Sequence, residues 1–172
     1  KALLLVPTLS NPLGSCMPHA ERKRLVQMAQ RYQLPVIEDA IYADLAEDDT
    51  IHRTLKSYDT SGHVMLCHSF SKTLAPGLRL GWLEAGRWTE SVRQLKEMQA
   101  GGQSAVLELA LADLVTQAGH HASMRQLRAA IGVRVAQARQ VIAQHFPSGT
   151  RVSDPPGGLL LWLELPRGVD GM

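Results

Sequence analysis

Three short apolar runs, each followed by polar or turn-forming residues, constrain the fold of this chain more than any other feature. The runs cover residues 2–6, 35–39 and 63–67. A helical pattern lies between the first two, and the order strand, helix, strand, connection, strand is typical of parallel α/β units. A fourth run over residues 78–83 returns through only a short loop, which favours antiparallel pairing with its predecessor. We therefore expect an α/β fold with a mixed, mostly parallel sheet.

The helical pattern over residues 18–32 also predicts which side chains reach the core. Pro18 can occupy the first turn of a helix, and Pro35 prevents continuation beyond its end. Apolar residues at helical spacing are expected to face inward, namely Leu25, Met28 and Ala29. The charged residues are expected to face solvent, namely Glu21, Arg22, Lys23 and Arg24.

The second half of the sequence predicts helices followed by a small strand-containing unit. Helical patterns cover residues 88–99, 104–117 and 121–146. The last is one long helix, because a single apolar stripe continues through Met124, Leu127, Ile131, Val135, Ala138 and Ile142. Short strands are expected near residues 150–152 and 159–165. We interpret residues 1–118 as part of a large domain and residues 119–172 as an interdomain helix with the beginning of a small α+β domain.

Composition excludes several classes of function. With 18 basic and 16 acidic residues among 172 and no basic stripe interleaved with aromatic residues, the chain itself is not expected to bind nucleic acid. No apolar run reaches the length of a membrane span. The two cysteines, Cys16 and Cys67, are interpreted as free thiols in a reducing compartment, so a cytoplasmic location is predicted. The seven histidines are scattered and predict no metal site.

The loop after the third strand carries an unusual set of reactive groups. It contains the amine of Lys72, the hydroxyls of Ser69, Ser71 and Thr73, and the guanidinium of Arg79. An amine can form a Schiff base with an aldehyde, whereas hydroxyls and a guanidinium can hold a phosphate. The set therefore suits an aldehyde cofactor that carries a phosphate. By itself, the same sequence is also compatible with a lysine on a surface loop, and a P-loop is excluded because the leading glycine pattern is absent.

Polar residues follow three separate strands and are expected at one edge of the sheet. Asn11 follows the first strand, Asp39 ends the second, and the lysine loop follows the third. Ligands of parallel α/β sheets bind outside the carboxyl ends of the strands. Taken singly, Asn11 is compatible with a turn, Asp39 with a helix cap, and Tyr42 with a packing residue.

The order of these anchors closely resembles a known enzyme family. Asn11-Pro-x-Gly, Asp39-x-x-Tyr42, Ser69-x-Ser71-Lys72 and Arg79 resemble the class I/II aminotransferases, enzymes of the aspartate aminotransferase fold that depend on pyridoxal 5′-phosphate (PLP). Longer stretches, above all residues 69–82 and 157–162, resemble the aminotransferase-like domain of GntR/MocR-type transcriptional regulators. The resemblance implies that the first domain is part of the PLP-transferase large domain.

The resemblance also implies roles for individual residues. Lys72 would form the internal aldimine with PLP and, in an active enzyme, move the proton at the substrate α-carbon. Asp39 would pair with the pyridine nitrogen, so that the ring can act as an electron sink. Tyr42 and Asn11 would donate hydrogen bonds to the phenolate oxygen of the ring, which lowers the pKa of the Schiff base. The phosphate would be held by Ser69, Ser71 and Arg79.

The chain is expected to be a fragment that carries only part of such a site. The family takes a glycine-rich phosphate-binding turn and a ring-stacking aromatic residue from sequence upstream of Lys1, and a carboxylate-binding arginine from sequence downstream of Met172. Ala40 replaces a second acidic residue that is common in the MocR-like group, with little expected effect. We therefore expect the fragment alone to bind PLP weakly or not at all.

Three functions are compatible with these residues. The favoured one is the effector-sensing domain of a GntR/MocR-type regulator, which binds a small-molecule amino acid or PLP aldimine and contacts DNA through an N-terminal domain outside this chain. The alternative is an aminotransferase that moves an amino group between an amino acid and a 2-oxo acid. A catalytically inactive scaffold is the third. By resemblance alone, the full-length protein is expected to be a homodimer.

Overall fold

A four-stranded mixed sheet forms the centre of the first half of the chain. The computed structural model describes residues 1–47, 51 and 53–169. The strands are β1 (Leu3–Leu5), β2 (Val36–Asp39), β3 (Val64–Ser69) and β4 (Gly81–Glu84), and they lie in that order across the sheet. β1, β2 and β3 are parallel, and β4 is antiparallel to β3. The predicted mostly parallel α/β sheet and its antiparallel fourth strand are confirmed.

Helix α1 (His19–Arg31) packs on one face of this sheet, but not with all the side chains expected. Val26 and Ala29 are buried against Val36 and Val64. Met28, expected in the core, is 47% exposed, and Arg22, expected in solvent, is 1% exposed. The buried stripe of α1 is therefore Arg22, Val26 and Ala29, which keeps helical spacing but is shifted from the predicted one.

Arg22 can be buried because backbone oxygens from distant segments surround it. Its guanidinium donates to the carbonyl oxygens of Met17, Arg53 and Pro7 and to Thr8 Oγ1, at 2.7 to 2.9 Å. Burial lowers the pKa of this guanidinium, and the nearby Glu38 carboxylate partly offsets the effect. The side chain thus joins α1 to the segment that leads from β1 towards Asn11.

The register of the strands separates two carboxylates that are adjacent in sequence. Asp39 pairs with Cys67, and Glu38 pairs with Leu66. Successive side chains of a strand point to opposite faces, so Asp39 and Glu38 lie on different faces of the sheet. Glu38 is buried and accepts hydrogen bonds from the backbone N–H groups of Leu55 and Lys56. Burial raises the pKa of Glu38, although these two bonds act in the opposite direction.

Up to residue 169, the second half contains three α-helices and a pair of short antiparallel strands. They are α2 (Thr89–Ala100), α3 (Ala105–Thr116), α4 (Gly119–His145), β5 (Arg151–Val152) and β6 (Leu163–Glu164). The long predicted helix is confirmed, with Met124 buried and Leu127, Ile131 and Val135 half-buried. The strand expected over residues 159–165 is only two residues long. The division into two domains at residue 119 stays a prediction.

The segment before β6 pairs with the first half of the chain instead. Gly157 forms an antiparallel bridge with Ala46, and Gly158 N–H donates to Leu45 O at 2.9 Å. Gly157 has φ of +116°, and a Cβ at this position would lie 2.6 Å from Leu45 O. Only glycine therefore fits this bridge. Within the described ranges, no helix is both long and apolar enough to cross a membrane.

Candidate functional site

The segment that follows β2 brings a carboxylate and a phenol to the carboxyl edge of the sheet. Asp39 is the last residue of β2 and is half-buried. Its Oδ1 accepts a hydrogen bond from the N–H of Ile41 at 3.0 Å, which fixes the turn after the strand. Tyr42 is 8% exposed and packs with Leu9 and Leu45. The packing interpretation of Tyr42 is therefore correct for its ring, and it is compatible with a role for its hydroxyl.

The segment that follows β3 supplies a pair of hydroxyls and an amine. Ser69 Oγ donates to Ser71 Oγ at 3.0 Å and accepts from Ser71 N–H at 3.2 Å. Lys72 is exposed, and its Nζ lies 5.9 Å from the centroid of the Tyr42 ring. The structure thus brings Lys72 and Tyr42, which come from different strands, into contact at one edge of the sheet.

Arg79 approaches the same edge from the loop that precedes β4. It is exposed and has a positive φ of 52°. Two residues later, Gly81 pairs with Ser69, and Phe70 N–H donates to Leu80 O at 3.1 Å. A Cβ on Gly81 would lie 2.4 Å from His68 O. The absence of a side chain at Gly81 therefore allows β4 to pair closely with the end of β3, beside Ser69.

Asn11 lies in a separate turn after β1. It follows β1 in an exposed turn that is closed by a hydrogen bond from Gly14 N–H to Ser10 O. The Asn11–Pro12 peptide bond is cis. Among the described residues, no hydrogen bond joins Asn11 to Asp39 or Ser69.

Cys67 places a thiol beside Asp39, on the neighbouring strand. It pairs with Asp39 across β2 and β3 and is half-buried. Burial raises the pKa of the Cys67 thiol, and the carboxylates of Asp39 and Glu38 raise it further. Cys67 and Cys16 are both free, as predicted. The Cys67 thiol therefore stays protonated at neutral pH and is a poor nucleophile.

Sequence reasoning did not identify a second polar contact at this edge, between His68 and Asp44. His68 Nε2 lies 2.9 Å from Asp44 Oδ2, and the His68 side chain is 8% exposed. Its ring stacks on Trp82, with ring centroids 5.4 Å apart and planes 13° apart. Position in the sequence indicated only that His68 lies near the lysine loop. The partner, Asp44, comes from a separate turn, and no local pattern links the two.

A cavity of about 380 Å³ lies away from Lys72. It is bordered by helix α4, by Leu45 and by the segment from Asp154 to Gly158. Within the described part of the chain, no group of three or more His, Cys, Asp or Glu side chains could hold a metal ion.

Comparison with known proteins gives consistent matches over almost the whole chain. Residues 1–169 match the family Aminotransferase class I and II. The HTH-type transcriptional regulator YjiR of Escherichia coli K12 is 36% identical over 170 residues, which are 99% of this chain and 36% of that protein. The aromatic-amino-acid aminotransferase 1 of Thermococcus litoralis is 28% identical over 174 residues, 99% of this chain and 41% of that protein.

Solved structures agree with these sequence matches. The kynurenine aminotransferase of Pyrococcus horikoshii, solved in complex with PMP, matches with a TM-score of 0.90 and 27% identity over 99% of this chain. The match covers 42% of that chain. The present chain therefore spans well under half the length of the proteins that it resembles.

Proposed function

This chain belongs to the aminotransferase class I and II family, and we propose that it is part of the PLP-binding, effector-sensing domain of a GntR/MocR-type transcriptional regulator. The observation that carries the proposal is the contact between Lys72 and Tyr42, which follow the carboxyl ends of two parallel strands. The regulator assignment is supported by the 36% identity to an HTH-type transcriptional regulator. DNA would be bound by another part of the intact protein, because this chain has a nearly balanced charge.

The donor set of the carboxyl edge fits PLP. The cofactor carries an aldehyde, a phosphate, a phenolate oxygen and a pyridine nitrogen. Lys72 offers an exposed amine, and Ser69 and Ser71 offer hydroxyls 3.0 Å apart. Arg79 is exposed and has no ion-pair partner among the described residues, so its guanidinium is available to a phosphate. Asp39 presents a half-buried carboxylate on the same face as Ser69.

Each residue would then have one role. When bound, PLP supplies an electron sink for reactions at the α-carbon of an amino acid. Lys72 would hold the cofactor covalently and, in an active protein, move the proton at that carbon. Asp39 would keep the pyridine nitrogen protonated. Tyr42 and Asn11 would donate to the phenolate oxygen, and the phosphate would be held by Ser69, Ser71 and Arg79.

An aminotransferase is the second candidate. It is favoured by the similarity to the aromatic-amino-acid aminotransferase of Thermococcus litoralis and to the solved kynurenine aminotransferase. The residues around Lys72 serve both functions, so they do not separate an enzyme from a sensor. In either case we propose a cytoplasmic homodimer in which residues 1–118 belong to the large domain and residues 119–172 begin the small one.

Titration of the intact protein with PLP tests the proposal. The wild type is expected to develop visible absorption that borohydride removes, and Lys72→Ala is expected to abolish it. Lys96→Ala is the matched control, because Lys96 is an exposed lysine of α2 and should leave the absorption unchanged. A wild type without absorption, or a Lys72→Ala variant that retains it, refutes PLP binding through Lys72.

A second measurement separates the two candidates. For a sensor, PLP together with an amino acid should change the affinity of the intact protein for DNA, and Lys72→Ala should lose this response. Sustained conversion of an amino donor and a 2-oxo acid, without any effect on DNA affinity, would favour the aminotransferase. A DNA response that is unchanged in Lys72→Ala would indicate an inactive scaffold.

A further inference from the structure

One buried side chain lies close in sequence to Ser69 and touches two segments that neighbour other proposed cofactor-binding groups. His68 directly precedes Ser69, at the end of β3. Its Nε2 contacts Asp44, which lies two residues after Tyr42. Its ring stacks on Trp82, which lies three residues after Arg79. A single imidazole at the end of β3 therefore contacts both the turn after β2 and strand β4.

We propose that His68 and Asp44 form a positioning pair that holds Tyr42 against Lys72. The inference rests on the proposed function, because Tyr42 and Lys72 are the residues proposed to bind PLP. Neither residue is among those predicted to contact PLP. His68 would act through Ser69, which follows it, and Asp44 would act through Tyr42, two residues before it.

The contact with Asp44 defines which ring nitrogen of His68 carries the proton. A carboxylate such as Asp44 accepts hydrogen bonds only, so His68 Nε2 carries the proton and donates it at 2.9 Å. His68 Nδ1 is buried and has no hydrogen-bond partner among the described residues. Asp44 therefore supplies the polar contact that orients this ring in the described part of the chain.

The surroundings of the pair explain why the contact transmits position. The His68 side chain is 8% exposed, and its ring is held by Trp82 on one side and by the edge of Phe70, 5.8 Å away. The ring therefore has little room to rotate when Asp44 is lost. The turn that contains Asp44 is also held from its other side, because Arg128 Nε of α4 donates to Asp44 O at 2.7 Å.

The turn itself is short, so a displacement at Asp44 reaches Tyr42. Residues Ala43–Leu45 form one 3₁₀ turn, and Leu45 N–H donates to Tyr42 O at 3.0 Å. In the N-terminal direction, the chain is held by the hydrogen bonds from Ile41 N–H to Asp39 Oδ1 and from Ala40 N–H to Cys67 O. Release of the His68 contact should therefore loosen the stretch from residue 41 to residue 45.

Amide hydrogen exchange in the PLP-free intact protein tests the pair directly. His68→Leu and Asp44→Ala are each expected to speed exchange of residues 41–45 by about tenfold, the loss of one partly exposed charge-assisted hydrogen bond. The change in the double variant should be smaller than the sum of the changes in the two single variants. His68→Gln keeps an amide donor near the position of Nε2 and should restore most of the protection.

His63→Leu is the matched control. His63 is a buried histidine at the opposite end of the same strand, where it contacts Ser61 and Arg87. Its loss should lower stability without selective exchange at residues 41–45. Equal exchange in His63→Leu and His68→Leu, or additive effects of His68→Leu and Asp44→Ala, would overturn the pair.

The PLP-bound protein provides the second readout. Tyr42→Phe removes the proposed donor and should raise the pH midpoint of the visible absorption. His68→Leu should shift it in the same direction by less, and His63→Leu should not shift it. A midpoint that does not move in His68→Leu overturns the positioning role. A wild type that never absorbs with PLP refutes the proposed function instead. The hydrogen-exchange experiment, which needs no PLP, then tests by itself whether His68 and Asp44 hold residues 41–45.

Discussion

Replacement of the buried arginine of α1 tests the account of the fold most sharply. In Arg22→Met, four charge-assisted hydrogen bonds are lost, while an apolar side chain of similar length fills the space. Each such bond contributes about 1.5–3 kcal/mol before the cost of burying the charge, which is several kcal/mol. Pro7 O keeps a second donor, the N–H of Met17. The other three acceptors, Met17 O, Arg53 O and Thr8 Oγ1, each lose the donor that Arg22 provides.

We expect Arg22→Met to lower the free energy of unfolding by about 3–5 kcal/mol, because three oxygen acceptors lose their donor at about 1–3 kcal/mol each, while the cost of burying the charge is recovered. Urea unfolding of the intact protein measures this, provided that the slope with denaturant is unchanged. Arg24→Met is the control, because Arg24 is an exposed arginine of the same helix and should change stability by less than about 0.5 kcal/mol. Equal losses in the two variants would refute the assignment of Arg22 as a structural anchor.

Three further predictions concern other sites. Burial raises the pKa of Asp59, but hydrogen bonds to its carboxylate outweigh this effect, so the pKa lies below its usual value. Asp59→Asn should therefore lower stability at neutral pH by about 1–3 kcal/mol. In the wild type, the stability that Asp59 contributes should disappear as the pH falls through the lowered pKa of the folded state. Gly157→Ala should cost about 1–3 kcal/mol more than Gly102→Ala in urea unfolding, since both have φ above +100° but only Gly157 would meet Leu45 O; equal costs would contradict the bridge. Arg79→Lys should weaken PLP binding about tenfold in a spectroscopic titration, because lysine cannot hold a phosphate with two parallel bonds; unchanged affinity would remove Arg79 from the site.

The sequence predicted the order and type of the main elements, because each depends on local patterns. The apolar runs became strands, and the stripe through Met124 and Ile131 became one long helix. The resemblance to class I and II aminotransferases is confirmed by the family match over residues 1–169. The short loop before β4 predicted its antiparallel pairing correctly.

What the sequence did not predict depends on contacts between distant segments. The burial of Arg22 requires the carbonyl oxygens of Pro7 and Arg53, which no periodicity within α1 can indicate. The contact between Asp44 and His68 likewise joins a turn after β2 to the end of β3. The strand before Pro166 is shorter than predicted, and the sequence also did not predict that the two preceding glycines pair with Ala46 and Leu45.

The roles of the seven predicted site residues stay predictions, although the structure puts several of them close together. Lys72 lies against Tyr42, and Ser69 lies against Ser71. In the described part of the chain, no hydrogen bond joins Asn11 to these four residues. Strand order was sufficient to predict a common edge, but contacts within that edge depend on loop conformations that spacing alone does not define.

Mapping of the lysine that reacts with PLP tests the central claim most directly. The intact protein would be incubated with PLP, reduced with borohydride, digested and analysed by mass spectrometry. The account predicts a stoichiometric phosphopyridoxyl group on Lys72 and none on the exposed Lys96. Modification spread over surface lysines, or a stoichiometric group on a residue other than Lys72, would contradict it.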